Sequence, residues 1–175
     1  CKAYYSYEEM AANEKFNPDL AEDALFNYAK LLFATGGGTF NESINVLTRY
    51  VTKYPESDRA DEARELLIAA YYNSHDYEMA YKAIKAFPNP DGTQRAALQK
   101  IAYFNGLEAF VAGDYDKAKS KLDEAQKVGV SPKYNALCLF WLGEIEYKQG
   151  NFDKAISYYD YYLRRAPKTE NEYKM

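Results

Sequence analysis

A chain of 175 residues, 47% hydrophobic and 27% charged, is large enough to bury a core of its own and has an ordinary globular composition. No stretch approaches the roughly 18 apolar residues of a membrane-spanning helix, so no transmembrane segment is expected. The net charge of −4 comes without clustered Lys and Arg, which argues against nucleic acid as a partner, because phosphate binding needs such clusters.

In chain order, residues 3–15 form an orphan helix, with Tyr5, Met10 and Ala12 on one apolar side and no partner helix ahead of them. Asn17 and Pro18 make a cap and first-turn pair that opens a helix to about residue 34. A second helix spans about 41–54 and is broken by YPES. Ser57 or Asp58 caps a third, to about 73, and a short fourth follows over 76–86. FPNPDGT, with two prolines and a glycine, is the strongest break in the chain. Helices of about 93–112, 114–128, 131–149 (with Pro132 at the first helical position) and 151–166 follow. Residues 168–175 read as the opening of another hairpin, which makes the chain look like part of a longer array. Period-two alternation between hairpin signals is absent, so strand content should be near zero despite 19 tyrosines.

The run LGEIEYKQGNFDKAISYYDYYLRRAP, residues 142–167, has the spacing of a helical hairpin. Gly143 and Ala155 let two antiparallel helices approach closely, Gly150 supplies a turn with positive φ, and Asn151 caps the second helix. Ala155, Tyr159 and Tyr162 then share one helical face, and Pro167 ends it. With Leu142 and Phe152 these residues resemble the consensus of the tetratricopeptide repeat (TPR), about 34 residues long. Tyr162 replaces a consensus alanine, so that contact should be looser.

A single hairpin cannot bury its apolar face alone, so further copies are expected. Gly106, Gly113, Tyr115, Ala118, Leu122 and Ala125 repeat the pattern upstream, with Asn105 in place of the consensus leucine. Leu67, Tyr77, Ala80 and Ile84 form a more degenerate copy with His75 at the turn glycine. Ala29, Phe40, Ser43, Leu47, Tyr50 and Pro55 form the first copy, if Gly36–Gly38 lengthens its turn. The resemblance implies an all-α fold, a right-handed α-solenoid of TPR helical hairpins. It reads as one array over 1–175 with repeats at 18–55, 57–87, 93–128 and 131–167.

Chemistry has few footholds. His75, the single histidine, sits in a turn. TGGGTF lacks the lysine and Ser/Thr of a phosphate loop and follows no strand, so it reads as a lengthened turn. Cys138 lies on an apolar helix and is expected to pack. Cys1 invites comparison with acylated lipoproteins, but helical sequence starts at once without a flexible tether, which favours an arbitrary chain start. Asp58, Asp61, Glu62 and Glu65 fall on one helical face, either as a solvated surface or as an acidic patch for a basic partner or calcium. Tyr158, Tyr159, Tyr161 and Tyr162 cannot all face one partner helix; some would dock a following repeat, and sugar stacking is the alternative. No catalytic residue, metal ligand or cofactor is assigned.

The TPR resemblance implies that the first helix of each hairpin lines a concave groove. Phe33, Tyr72, Phe110 and Tyr147 recur at one groove position, and Phe26, Glu65, Tyr103 and Phe140 at another. TPRs that clamp a terminal carboxylate converge lysines, arginines and asparagines in one groove. Here the corresponding pairs are Lys30 and Ala34, Ala69 and Asn73, Leu107 and Val111, and Glu144 and Lys148, so that clamp is not assembled. The expected partner is an apolar or aromatic-bearing protein segment, or a neighbouring subunit, bound by these aromatics with Glu62 and Glu65 as the acidic contribution.

RYVTKYPESDRADEARELL, residues 49–67, is similar to TPR proteins of the Gram-negative envelope, among them the TPR lipoprotein of the outer-membrane β-barrel assembly machinery and the periplasmic TPR partner of Tol-Pal. AEDALFNYAKL, residues 21–31, resembles large multi-repeat TPR proteins of Bacteroidetes-type bacteria. These resemblances imply a non-catalytic scaffold in the periplasm or at the outer membrane, part of a larger protein. The alternatives are an assembly subunit that self-associates through its terminal repeats and, further off, a carbohydrate-binding or enzymatic helical domain.

Overall fold

The computed structural model describes residues 7, 9, 17–35, 40–87 and 89–166. Apart from Tyr7 and Glu9, the expected helix over 3–15 lies outside the described residues, as do the lengthened turn at Gly36–Gly38 and the opening of a hairpin over 168–175. Among those described there are eight helices and no strand: α1 (Pro18–Thr35), α2 (Phe40–Lys53), α3 (Ala60–Asn73), α4 (Tyr77–Lys85), α5 (Gly92–Val111), α6 (Tyr115–Val128), α7 (Pro132–Lys148) and α8 (Phe152–Arg165). The chain divides into two compact units, Cys1–Ala86 and Phe87–Met175. The boundary falls at the FPNPDGT break, where proline removes donors and disfavours helix in the residue before it.

Each unit holds two antiparallel hairpins, α1–α2 with α3–α4, and α5–α6 with α7–α8. Within each unit successive helices pack on one another, and the first helices of its two hairpins also touch, α1 on α3 and α5 on α7. Such stacking gives each hairpin a second surface on which to bury its apolar side.

The hairpin turns repeat one local solution. His75, Gly113 and Gly150 adopt φ of 61°, 80° and 79°. In each turn the following residue donates its N–H back five positions: Asp76 to Tyr71 at 2.9 Å, Asp114 to Ala109 at 2.9 Å and Asn151 to Glu146 at 2.8 Å. This satisfies carbonyls that the helix end would leave orphaned. Asp76 and Asp114 then cap the next helix through Met79 N–H and Lys117 N–H. At α5 the sequence reading missed a capping box: Asp91 accepts from Gln94 N–H at 2.8 Å, and the Gln94 side chain accepts from Asp91 N–H at 3.1 Å.

Two expected caps are replaced. α3 starts at Ala60 with Arg59 as its N-cap residue and no side-chain cap. The Ser57 hydroxyl accepts from Arg59 N–H at 3.2 Å and donates to Glu22 Oε1 at 2.5 Å, and Asp58 precedes the helix. Asn151 holds the N-cap position of α8 but makes no cap hydrogen bond, and its side chain is turned so that the amide donates to Glu146 Oε2 at 2.9 Å. In both cases a carboxylate on an earlier helix orients the side chain by accepting its hydrogen, a charge-assisted bond.

Helix crossings are lined by small residues, Ala24, Ala29, Ala63 and Ala80 in the first unit and Ala102, Ala118, Ala125 and Ala136 in the second, all completely buried. Leu25, Leu32, Leu47 and Tyr50 fill the first core; Leu122, Leu142 and Ile145 fill the second. Tyr50 is fully enclosed, and its hydroxyl donates to Glu22 Oε1 at 2.9 Å and lies 3.0 Å from Ser57 Oγ. Burial pushes its pKa up to about 12. The neutral phenol is therefore favoured in the fold, and its contribution, complete below the free tyrosine pKa, is lost as pH rises through the folded value. Tyr50→Phe should cost about 1 kcal/mol in urea unfolding. It should also shift the alkaline limb of the stability–pH curve; an unchanged midpoint together with an unchanged limb would show that this hydrogen-bonded trio is energetically idle.

Candidate partner-binding face

In the second unit α5 and α7 lie side by side, and aromatic side chains thread them together. Tyr103 touches Phe104 (ring centroids 5.2 Å) and Tyr134 (5.1 Å), and its hydroxyl accepts from Trp141 Nε1 at 3.1 Å. Trp141 packs edge-on against Phe110 (5.1 Å) and Phe140 (5.3 Å). Phe110 also meets Tyr115 of α6, and Phe140 is flanked by Tyr159 and Tyr162 of α8. Tyr147, at the end of α7, is 54% exposed and lies against Phe152. The result is a run of half-buried rings, Phe104, Tyr134, Trp141, Phe110 and Phe140, with Tyr147 open to solvent.

Two expected anchors are core residues in their own units. Tyr103 is 6% exposed beneath this run, and Phe26 is 4% exposed in the first unit, packed on Tyr50 at 5.2 Å and covered by the Arg59 guanidinium and the Lys30 ammonium. Phe33 and Tyr72 are half-buried, Tyr72 edge-on to Tyr77. Sequence reasoning missed Trp141, Tyr134 and Phe104. The available signal was the tryptophan itself, a residue type enriched where binding energy concentrates, next to an already chosen Phe140.

The acidic face is rearranged by the later helix start. Asp58 is off the helix, Asp61 pairs with Arg64 at 2.6 Å, and Glu62 pairs with Lys30 of α1 at 2.7 Å; Glu65 is exposed. Among the described residues no group of three or more His, Cys, Asp and Glu side chains could hold a metal ion, so the calcium version of this patch has no ligand set there. A separate acidic cleft of about 430 Å³, invisible in the linear sequence, forms where the start of α1 meets the α2–α3 loop. Asp19, Glu22, Asp23, Glu56 and Asp58 line it with Ser57 and Arg59. Its charges are partly satisfied internally, Arg59 to Asp23 at 2.6 Å and Ser57 to Glu22.

Cys138 has 0% exposure, and burial pushes its thiol up to about 12, so it stays protonated and packs as a small apolar residue. His75 Nδ1 lies 2.8 Å from the Tyr77 hydroxyl within its turn.

A family model described as tetratricopeptide repeat matches residues 105–169, and a second, also described as tetratricopeptide repeat, matches residues 23–57, together more than half of the chain. The chain belongs to the tetratricopeptide-repeat family. Its fold class is the all-α solenoid of TPR hairpins. Among solved structures, one crystal structure of MamA is 19% identical, with 93% of this chain and 85% of that chain covered at a TM-score of 0.51. A second MamA crystal structure is 17% identical, covering 94% and 92% at 0.50. These are likenesses of fold. A search of curated proteins finds no sequence match. TPR hairpins in general form scaffolds for protein partners. No helix among the described residues is long and apolar enough to cross a membrane.

Proposed function

We propose that this TPR chain is a non-catalytic scaffold whose α5–α7 face holds an apolar or aromatic-bearing protein segment. The observation that carries the reading is the half-buried ring run Trp141, Phe110 and Phe140 ending in the exposed Tyr147. Rings already fixed by their neighbours offer apolar area with little further entropy to lose on binding. On the α5–α7 face the positions that would supply a carboxylate clamp are Leu107, Val111, Glu144 and Lys148, which supports side-chain recognition over capture of a terminal carboxylate. The YPES segment and its flanks support placing the scaffold in a bacterial cell envelope, periplasmic or outer-membrane-associated, as part of a larger protein.

Panning a displayed random-peptide library against the chain tests the groove. Selected segments should carry aromatic or branched apolar anchors, and Phe110→Ala or Tyr147→Ala should weaken them at least about tenfold, as for interface hot spots. Binders indifferent to both substitutions, in variants whose circular dichroism is unchanged, would move the site elsewhere.

A further inference from the structure

α8 is apolar in two directions. One side, with Ala155 at its centre and Tyr159 and Tyr162 beside it, packs on α7. The other is a stripe of Phe152, Ile156 and Leu163, spaced by four and seven residues and therefore aligned along the helix, with exposures of 58%, 65% and 73%. The corresponding stripe on α6 is Tyr115, Lys119 and Gln126, and α7 covers it through polar contacts: Lys119 to Glu146, and the Gln126 amide to Asn135 O at 3.3 Å. On α8 the same positions are hydrocarbon and open, flanked on one side only by Asp153, Asp160 and Arg164. Arg164 and Asp160 already pair along the helix at 2.6 Å.

We infer that this stripe is an interface between two copies of the chain, α8 lying antiparallel on the partner's α8 about a two-fold axis. A two-fold perpendicular to the helix reverses its direction but keeps each flank facing its own counterpart. The charged flank therefore meets itself head to tail, bringing Asp153 opposite the partner's Arg164. Phe152 falls opposite the partner's Leu163, and Ile156 beside the partner's Tyr159. The flank carries Asp153 at one end and the Asp160–Arg164 pair at the other, so in this orientation Arg164 can bridge Asp160 of its own helix and the partner's Asp153, which makes the surface self-complementary as an isologous contact requires. Parallel pairing about a two-fold along the helix would bring like ends together. One helix pair buries well under the roughly 800 Å² per partner of a standard stable interface, so the dimer is weak and concentration-dependent. The inference is independent of the peptide-groove reading, and Phe110→Ala leaves it untouched.

Sedimentation equilibrium of the whole 175-residue chain from about 10 µM to about 1 mM, the affinity range suited to an interface this small, reads the result directly. The mass should climb from 20.1 kDa toward twice that, and Ile156→Glu with Leu163→Glu should hold it at the monomer. Asp153→Arg alone sets arginine against arginine, and Arg164→Asp alone sets aspartate against aspartate; each should stay monomeric. An equimolar mixture of those two single variants should dimerise again, because both cross-pairs are then opposite in charge. A parent chain monomeric throughout, which would assign the stripe to a different protein or a further helix, overturns the proposal. So do single charge variants that associate like the parent, or a mixture that remains monomeric.

Discussion

Gly143→Leu should lower the stability of the second unit by about 3 kcal/mol, more than most single substitutions. A Cβ at this position would stand 2.7 Å from Tyr159 Cε1 and 2.9 Å from its Cδ1. The ring cannot swing aside cheaply: its hydroxyl donates to Glu144 Oε1 at 2.6 Å, and its face is held near Phe140. Leucine must either push α7 and α8 apart or break the Tyr159–Glu144 hydrogen bond, and the charged acceptor makes that bond worth about 1.5–3 kcal/mol. The better helix propensity of leucine returns less than about 1 kcal/mol. Thermal and urea unfolding measure the loss. Tyr159→Ala in the Gly143→Leu background should recover part of it, since the two side chains contend for one space. A Gly143→Leu chain as stable as the parent would mean that the α7–α8 approach is not held as described.

Glu146→Ala should cost about 2 kcal/mol, and Glu146→Gln less. Glu146 is 1% exposed, yet it accepts from Lys119 Nζ at 2.5 Å and from the Asn151 amide at 2.9 Å, tying α6, α7 and the start of α8 together. Removing the carboxylate leaves both donors behind. Lys119, 39% exposed, can turn toward water, which keeps the loss below that of a fully enclosed pair. The Lys119 hydrogen bond holds the Glu146 carboxyl below the usual carboxylate range, against the opposing effect of burial, with the Asn151 amide adding to it. A depressed folded pKa means stability that is complete above the unfolded value, near 4.3 for glutamate, and lost as pH falls through the folded one. The same contact raises the Lys119 pKa, so that group's contribution is complete below its unfolded value and fades only in strong alkali. The parent chain should therefore lose stability in acid more steeply than Glu146→Gln. Parallel acid limbs in denaturant titrations of the two would remove the pair from the account.

The two substitutions show where the linear sequence was sufficient. Gly143 is readable because a helix position that needs the smallest residue carries glycine, and Gly106, 37 residues earlier, repeats the solution: a Cβ there would meet Leu122 Cγ at 2.9 Å. Glu146 is not readable. One glutamate in an amphipathic helix looks like every other, and its burial depends on Lys119 arriving from a helix that ends before α7 starts. The same separation hid Trp141, whose indole N–H finds the Tyr103 hydroxyl 38 residues away, and the acidic cleft, assembled from the start of α1 and a loop more than 30 residues on.

What the sequence alone determined was therefore local: helix periods, breaks at proline and glycine, alanines where helices cross, and left-handed turns at His75, Gly113 and Gly150. Each rests on sterics or hydrogen bonds within a few residues of chain. The tertiary structure decided which side chains those elements leave available. Phe26 and Tyr103 go into the core because adjacent helices close over them, while Phe110 and Phe140 keep an edge in solvent and Tyr147 stays open. Ser57 and Asn151 make no cap because packing turns their donors toward Glu22 and Glu146, and for Ser57 also because α3 starts only at Ala60.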